Sequence, residues 1–217
     1  MNLKKLVTAA VCTMLMAAVA FTAGCGGEKK SDKKVLKVGM ECAYAPYNWS
    51  QTKADGGAVK IAGSNEYAYG YDVMMAKKLA DSMGADLEIH KIEWDGLAPA
   101  VVSGKIDAAI AGMSITSKRK ETVDFTKPYY YATVVALVKK DSEQAKAQSV
   151  ADLKGSVATS QLNTIWYDQI DQVPDVKKLP AIDTVPGMIV ALTSGKCNLI
   201  VTDIPTAKAA AFANPEL

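Results

Sequence analysis

One pattern occurs twice in this chain and restricts what it can fold into. Val101-Val102-Ser103-Gly104-Lys105-Ile106-Asp107 and Leu192-Thr193-Ser194-Gly195-Lys196-Cys197-Asn198 share the order helix end, Ser-Gly-Lys turn, strand start. A helix that runs through a tight turn into a strand is half of a crossover between parallel strands. Two copies imply two similar α/β lobes, each with parallel strands and crossover helices, facing one another across a cleft. Ligands of open α/β sheets sit at the carboxyl ends of strands, so the residues that follow each strand become the candidates for function.

The rest of the punctuation agrees with that plan. Residues 35–40 alternate like a strand and stop at a loop carrying Tyr44 and Tyr47, and residues 51–69 read as a polar surface loop or hairpin. Gly70-Tyr71-Asp72 opens a helix that Asp72 is placed to cap, with Val73, Ala76, Leu79, Ala80 and Met83 on one face and Gly84 at its end. A second strand is predicted over 87–94, followed by a short helix capped by Asp95 and ending at Ser103-Gly104. The strand over 106–110 leads into the polar turn Ala111-Gly112-Met113-Ser114 and on to Arg119. Residues 132–138 form a β-branched run that reads as a buried strand crossing between the lobes. Beyond it, strands are predicted over 156–160, 178–181 and 197–201, and helices over 164–170 and 185–193.

The N-terminus bears on compartment. Lys4 and Lys5 precede an uncharged apolar run, residues 6–23, that closes in Thr22-Ala23-Gly24-Cys25. These are the parts of a secretory signal, and small residues before a cysteine resemble a bacterial lipobox with Cys25 as the lipidation site. The alternative is a permanent membrane-spanning anchor, since the run is nearly long enough. Both readings hold the remainder at the membrane, outside the cytoplasm. Residues 1–24 are then the signal, 25–34 a tether with nothing to bury, 35–131 the first lobe and 132–217 the second.

Composition narrows the partners. The formal net charge of +2 over 217 residues gives no argument for nucleic acid. Cys42 and Cys197 fall in different halves and read as free apolar side chains. His90 is the single histidine and the chain has no CxxC, so neither a zinc site nor another cofactor is expected.

The strand ends supply a coherent set of groups. Arg119 offers a planar cation, Glu41 and Asp203 offer carboxylates, Tyr44 and Trp94 offer aromatic walls, and Ala111, Gly112 and Ser114 offer small residues with accessible amides. Gln161 and Thr164 follow the strand of the second half that faces them. Together they complement a zwitterion. Taken one at a time, Lys118-Arg119 also reads as a solvated pair, Asp203 as the cap of the next helix, and Trp94 as core.

The order GMECAYAPYNW, YGYDVMMAKKLADSMG, WDGLAPAVVSGKIDAAIAGMSITSKR, VDFTKPYY, LKGSVATSQLNT and LIVTD resembles the extracellular solute-binding proteins, family 3, of polar amino-acid ABC transporters. The resemblance covers residues 36–203. It implies a type II periplasmic-binding-protein fold, an α/β Venus flytrap whose lobes close on an L-amino acid and deliver it to a permease. On matching positions, Arg119 would pair with the ligand α-carboxylate, helped by Ser114 and the Thr164 amide. Asp203 would hold the α-ammonium with the Ala111 or Gly112 carbonyl and the Ser114 hydroxyl. Tyr44 and Trp94 would stack on the side chain and Glu41 would face its tip, which points to a polar or basic amino acid. A monomeric, non-catalytic lipoprotein follows.

This chain departs from the family in two places. Asn163-Thr164 stands where a Gly-Thr pair is usual, and the sequence stops at Leu217, which reads as a truncated second lobe and return hinge. The alternatives are a cyclohexadienyl dehydratase-like enzyme on the same fold, or a non-functional truncated product.

Overall fold

The computed structural model describes residues 34–217. The predicted signal, the lipidation site Cys25 and all but the last residue of the tether lie outside the described residues. The first half runs β1 (Val35–Met40), β2 (Ala43–Tyr44), β3 (Asn48–Gln51), β4 (Val59–Lys60), β5 (Tyr67–Tyr69), α1 (Tyr71–Met83), β6 (Asp86–Lys91), α2 (Leu97–Val102), β7 (Ala108–Ala109) and α3 (Ser117–Lys120). The second half runs β8 (Val134–Leu137), β9 (Val157–Thr159), α4 (Ile165–Gln169), β10 (Lys177–Lys178), α5 (Val185–Thr193), β11 (Leu199–Asp203) and α6 (Ile204–Ala213).

Each half builds its own sheet around a central apolar strand. β1 lies between β6 and β7, all parallel, with Val38 and Met40 fully buried beside Ile89 and Leu97. In the second sheet the order is β10-β9-β11-β8, parallel except for β8, and Leu199 and Ile200 of β11 are fully buried. Strands covered on both faces by crossover helices read as continuous apolar runs, as Leu199-Ile200-Val201 does. A separate antiparallel sheet, β2-β3-β5-β4, is inserted after β1. Among the described residues no helix is long and apolar enough to cross a membrane.

The repeated turn is the same object in both halves. Gly104 and Gly195 take positive φ, 70° and 79°, which ends α2 and α5 in the conformation glycine adopts without strain. The second residue after each glycine, two residues ahead of the strand, then bonds back to the helix in matching fashion, Ile106 N to Ala100 O at 3.3 Å and Cys197 N to Ala191 O at 3.2 Å. Both Ile106 and Cys197 are buried, and Cys42 and Cys197 are free thiols.

Several local expectations change. Asp72 does not cap α1: Gly70 is the N-cap residue with no side-chain bond, and Asp72 is fully buried instead. The buried face of α1 is Asp72, Val73, Ala76 and Ala80, leaving Leu79 and Met83 exposed, because the helix is turned about its axis toward a polar partner. Asp95 lies in a single 3-10 turn, Trp94–Gly96, and caps nothing. The 132–138 run is not buried as expected. β8 is the edge strand of the second sheet, antiparallel to β11, with Val134 and Ala136 facing outward.

Candidate functional site

The first contributions come from the turn after β1. Cys42 adopts φ 56°, and its N–H donates to Asn48 Oδ1 at 2.7 Å, which fixes the sharp turn between Glu41 and β2. Glu41 is 4 % exposed, and both of its carboxylate oxygens accept from Gln161 Nε2, at 3.1 and 3.0 Å. Burial pushes its pKa up to about 7, against the lowering effect of the Gln161 bond and with a further push from Glu93. Tyr44 stacks on Tyr47 at 4.7 Å between centroids and donates its hydroxyl to Asp203 across the cleft. Burial first, and Asp203 second, raise its pKa and keep the phenol protonated.

The second contributions follow β7. Gly112 takes φ 63°, and a Cβ there would meet the Tyr44 ring at 2.9 Å, so the ring rests directly on backbone. Thr116 accepts from Arg119 N and starts α3, which aims Arg119 back at the cleft. The guanidinium sits 5.4 Å over the Trp94 ring. Its Nη1 donates to Ser114 O at 2.6 Å and its Nη2 to Asn163 O at 2.9 Å. Desolvation lowers the Arg119 pKa, with Asp168 opposing it, and the group stays charged.

From the other side, Thr164 caps α4 by accepting from Tyr167 N, and its own hydroxyl donates to Gln161 O at 2.7 Å. Asn163, with φ 54°, turns its carbonyl toward Arg119 and Trp94 Nε1, the latter at 3.3 Å, while its Nδ2 donates to Asp95 Oδ1 at 2.9 Å. Asp203 caps α6: Oδ1 accepts from Thr206 N at 2.9 Å, and Oδ2 from Thr206 Oγ1 at 3.1 Å and from Tyr44.

These side chains converge. Glu41, Tyr44, Trp94, Ala111, Gly112, Ser114, Arg119, Gln161 and Thr164 all line one space between the sheets, together with Ile165 and Trp166. Its volume is about 10 Å³, room for roughly one water. An organic zwitterion enters only when the halves part. Asp203 does not line this space. It lies behind Tyr44 with no exposed surface, its oxygens taken by the cap and the phenol.

Beside it runs a larger groove of about 560 Å³, mostly apolar, past Met113, Phe125 and Tyr129 to Tyr131. Charge and aromatic walls meet in the small space, so chemistry places the candidate site there. Sequence reasoning did not assign roles to Asn163, Asp95 or Trp166 in this constellation. The Asn163-Thr164 departure from the expected Gly-Thr pair was the one available signal for the first.

Residues 36–178 match the model of the bacterial extracellular solute-binding proteins, family 3. The chain is 31 % identical to a probable histidine-binding protein of Campylobacter jejuni, over 84 % of this chain and 65 % of that protein. It is 29 % identical to the ABC transporter arginine-binding protein 1 of Escherichia coli, over 99 % of this chain and 77 % of that protein. It therefore spans about two thirds to three quarters of the length of these relatives. The arginine-bound, truncated (residues 20-233) ArgBP from T. maritima superposes with a TM-score of 0.70 at 30 % identity, covering 84 % of this chain and 79 % of that one. The architecture is thus that of the type II periplasmic amino-acid-binding proteins.

Proposed function

This chain belongs to the bacterial extracellular solute-binding proteins, family 3, and from that premise we propose that its cleft captures a free L-amino acid outside the cytoplasm for an ABC transporter permease. The observation that carries the reading is the convergence of one half-buried guanidinium, Arg119, and one buried carboxylate, Glu41, on a single space walled by aromatic and small residues. Arg119 donates to two neutral backbone carbonyls there. A ligand α-carboxylate accepts stronger, charge-assisted bonds from the same fork and displaces them. The Ser114 and Thr164 groups stand beside that position, and Asp203 takes the α-ammonium when the Tyr44 hydroxyl releases it.

Glu41 sets the side-chain preference. A buried carboxylate met by a neutral amide gains most from a cation, so arginine, lysine and histidine head the ligand order, with glutamine next. Ligand contacts made to both halves then favour the closed arrangement over the open one. In this reading the protein binds and does not catalyse, acts as a monomer, and is held at the membrane by a lipid on Cys25. The relatives named for histidine and arginine favour capture over the dehydratase alternative.

Titration calorimetry of the full chain against the twenty amino acids tests this. Basic amino acids should bind, and Arg119→Glu should weaken them at least a hundredfold by replacing attraction with repulsion at the carboxylate. Equal binding by the variant removes Arg119 from the site. Heat from none of the twenty sinks the function.

A further inference from the structure

The group that organises the first-half side of the cleft does not touch the cleft. Asp72 has no exposed surface and sits in the first turn of α1, yet it bonds to no amide of its own helix as a cap does. Its Oδ2 accepts from Asn48 Nδ2 at 2.7 Å, and Asn48 Oδ1 accepts from Cys42 N at 2.7 Å. Its Oδ1 accepts from the Tyr129 hydroxyl at 2.7 Å, and that oxygen accepts from Gly112 N at 2.9 Å. Two chains of hydrogen bonds therefore leave one carboxylate. One ends on the amide next to Glu41, and the other ends on the glycine under the Tyr44 ring.

We propose that Asp72 is a positioning residue for the ligand site, holding the Glu41–Cys42 and Ala111–Gly112 turns in register with each other through Asn48 and Tyr129. The inference rests on the amino-acid-binding reading above. Burying a carboxylate away from any cation is unfavourable unless its lone pairs are filled, and here neutral donors fill them. Burial raises the Asp72 pKa to about 6, while the Tyr129 and Asn48 bonds pull it back. An apolar side chain would pack at this position without that penalty. What the carboxylate adds is direction: it dictates which way the Asn48 amide and the Tyr129 hydroxyl point, and so where two backbone N–H groups are held. The Cys42 turn needs such a hold because a residue with a Cβ is strained at its left-handed φ of 56°, and Gly112, which reaches φ 63° freely, needs a partner to fix it among the many conformations open to glycine.

The donor and acceptor pattern allows a test with its own rescue. In Asp72→Asn the new amide has one oxygen for two donors. With its NH2 toward Asn48 it confronts the Asn48 amide, which cannot flip without turning its own NH2 toward Cys42 N–H, and with its NH2 toward Tyr129 it leaves the Tyr129 hydroxyl without its acceptor. In the exchanged pair, Asn48→Asp with Asp72→Asn, every bond is restored: the carboxylate now on β3 accepts from Cys42 N and from the new amide on α1, whose oxygen accepts from Tyr129. Amide hydrogen exchange at Gly112 and Cys42 and the affinity for arginine are measured for the wild type, Asp72→Asn, the exchanged pair, Tyr129→Phe, and the exposed control Tyr131→Phe.

The proposal expects exchange to accelerate at least tenfold at one or both of these amides in Asp72→Asn, and at Gly112 alone in Tyr129→Phe. Affinity should fall about tenfold in each, with recovery in the exchanged pair and no change in the control. A lowered melting temperature with unchanged affinity and unchanged exchange overturns it, as does an exchanged pair no better than Asp72→Asn. If the wild type binds no amino acid, the functional reading fails separately, and exchange at the two amides decides the positioning claim by the same criteria.

Discussion

The two sides of the cleft are held by different kinds of bond. On the first-half side, the turns after β1 and β7 are joined by buried side chains whose partners lie 24, 57 and 17 residues apart in sequence: Asn48 to Asp72, Tyr129 to Asp72, and Gly112 to Tyr129. On the second-half side each turn is set by the helix that follows it. Thr164 caps α4, Thr184 caps α5 and Asp203 caps α6, each through a bond to an amide three residues on. A cap is satisfied locally, so damage there stays with one turn unless the capping group has a second partner. A relay is shared, so damage there reaches two turns at once.

Asp203 is the exception that tests the contrast hardest, because its carboxylate both caps α6 and accepts from Tyr44 across the cleft. Asp203→Ala leaves the Thr206 N–H, the Thr206 hydroxyl and the Tyr44 hydroxyl unpaired in a buried place. With roughly 1–3 kcal/mol for each such loss, urea unfolding should show destabilisation of about 4 kcal/mol. Asp203→Asn keeps the cap acceptor and should lose less than half of that. Equal losses in the two variants would mean that the tie to Tyr44, not the cap, dominates.

Glu41 gives the next largest effect and ties it to pH. Its folded pKa of about 7 lies above the ordinary value of 4.5, so its contribution to stability is fully present below pH 4.5 and is lost as pH rises through 7. Glu41→Gln removes that dependence. The variant should gain about 3 kcal/mol relative to the wild type between pH 4.5 and pH 8, read as the difference between two series of unfolding curves. Binding runs the opposite way. Ionised Glu41 favours a cationic ligand, so wild-type affinity for arginine should climb from pH 6 to pH 8 while that of Glu41→Gln stays flat. A flat wild-type profile would detach Glu41 from the ligand side chain.

The scaffold was legible in the sequence because it is local. The Ser-Gly-Lys turns, the alternation of Val35–Met40 and the apolar block at Leu199 each announce themselves within a few residues, and the structure places all of them as strands and helix ends. The candidate residues were legible for a related reason, since strand ends can be found once strands are found, and nine of those residues share one lining. What was not legible depends on partners far away along the chain. Asp72 and Asp95 both stand before helical patterns and so resemble caps, but Tyr129 and Asn48 claim the first and Asn163 the second. The 132–138 run looked buried because β-branched residues are equally at home on an edge strand, and only the pairing with β11 decides which faces are covered.

The smallest expected effect lies where the two sides meet. Asn163 ties across the cleft with its carbonyl, through Arg119 and Trp94, and with its side chain, through Asp95. Asn163→Gly keeps the carbonyl and the left-handed φ of 54° and deletes only the exposed bond to Asp95. Loss of that bond, worth about 0.5–1 kcal/mol, is offset by the relief glycine brings at positive φ, so unfolding should change by less than about 0.5 kcal/mol. The ligand-free protein should nonetheless open more often, because the bond exists only when the halves are together. Small-angle scattering would then show a larger radius of gyration for the ligand-free variant and the same radius for both proteins with ligand bound. If the ligand-free radii agree, the Asn163 side chain is ornamental to closure, and the backbone carbonyl with Arg119 does the fastening alone.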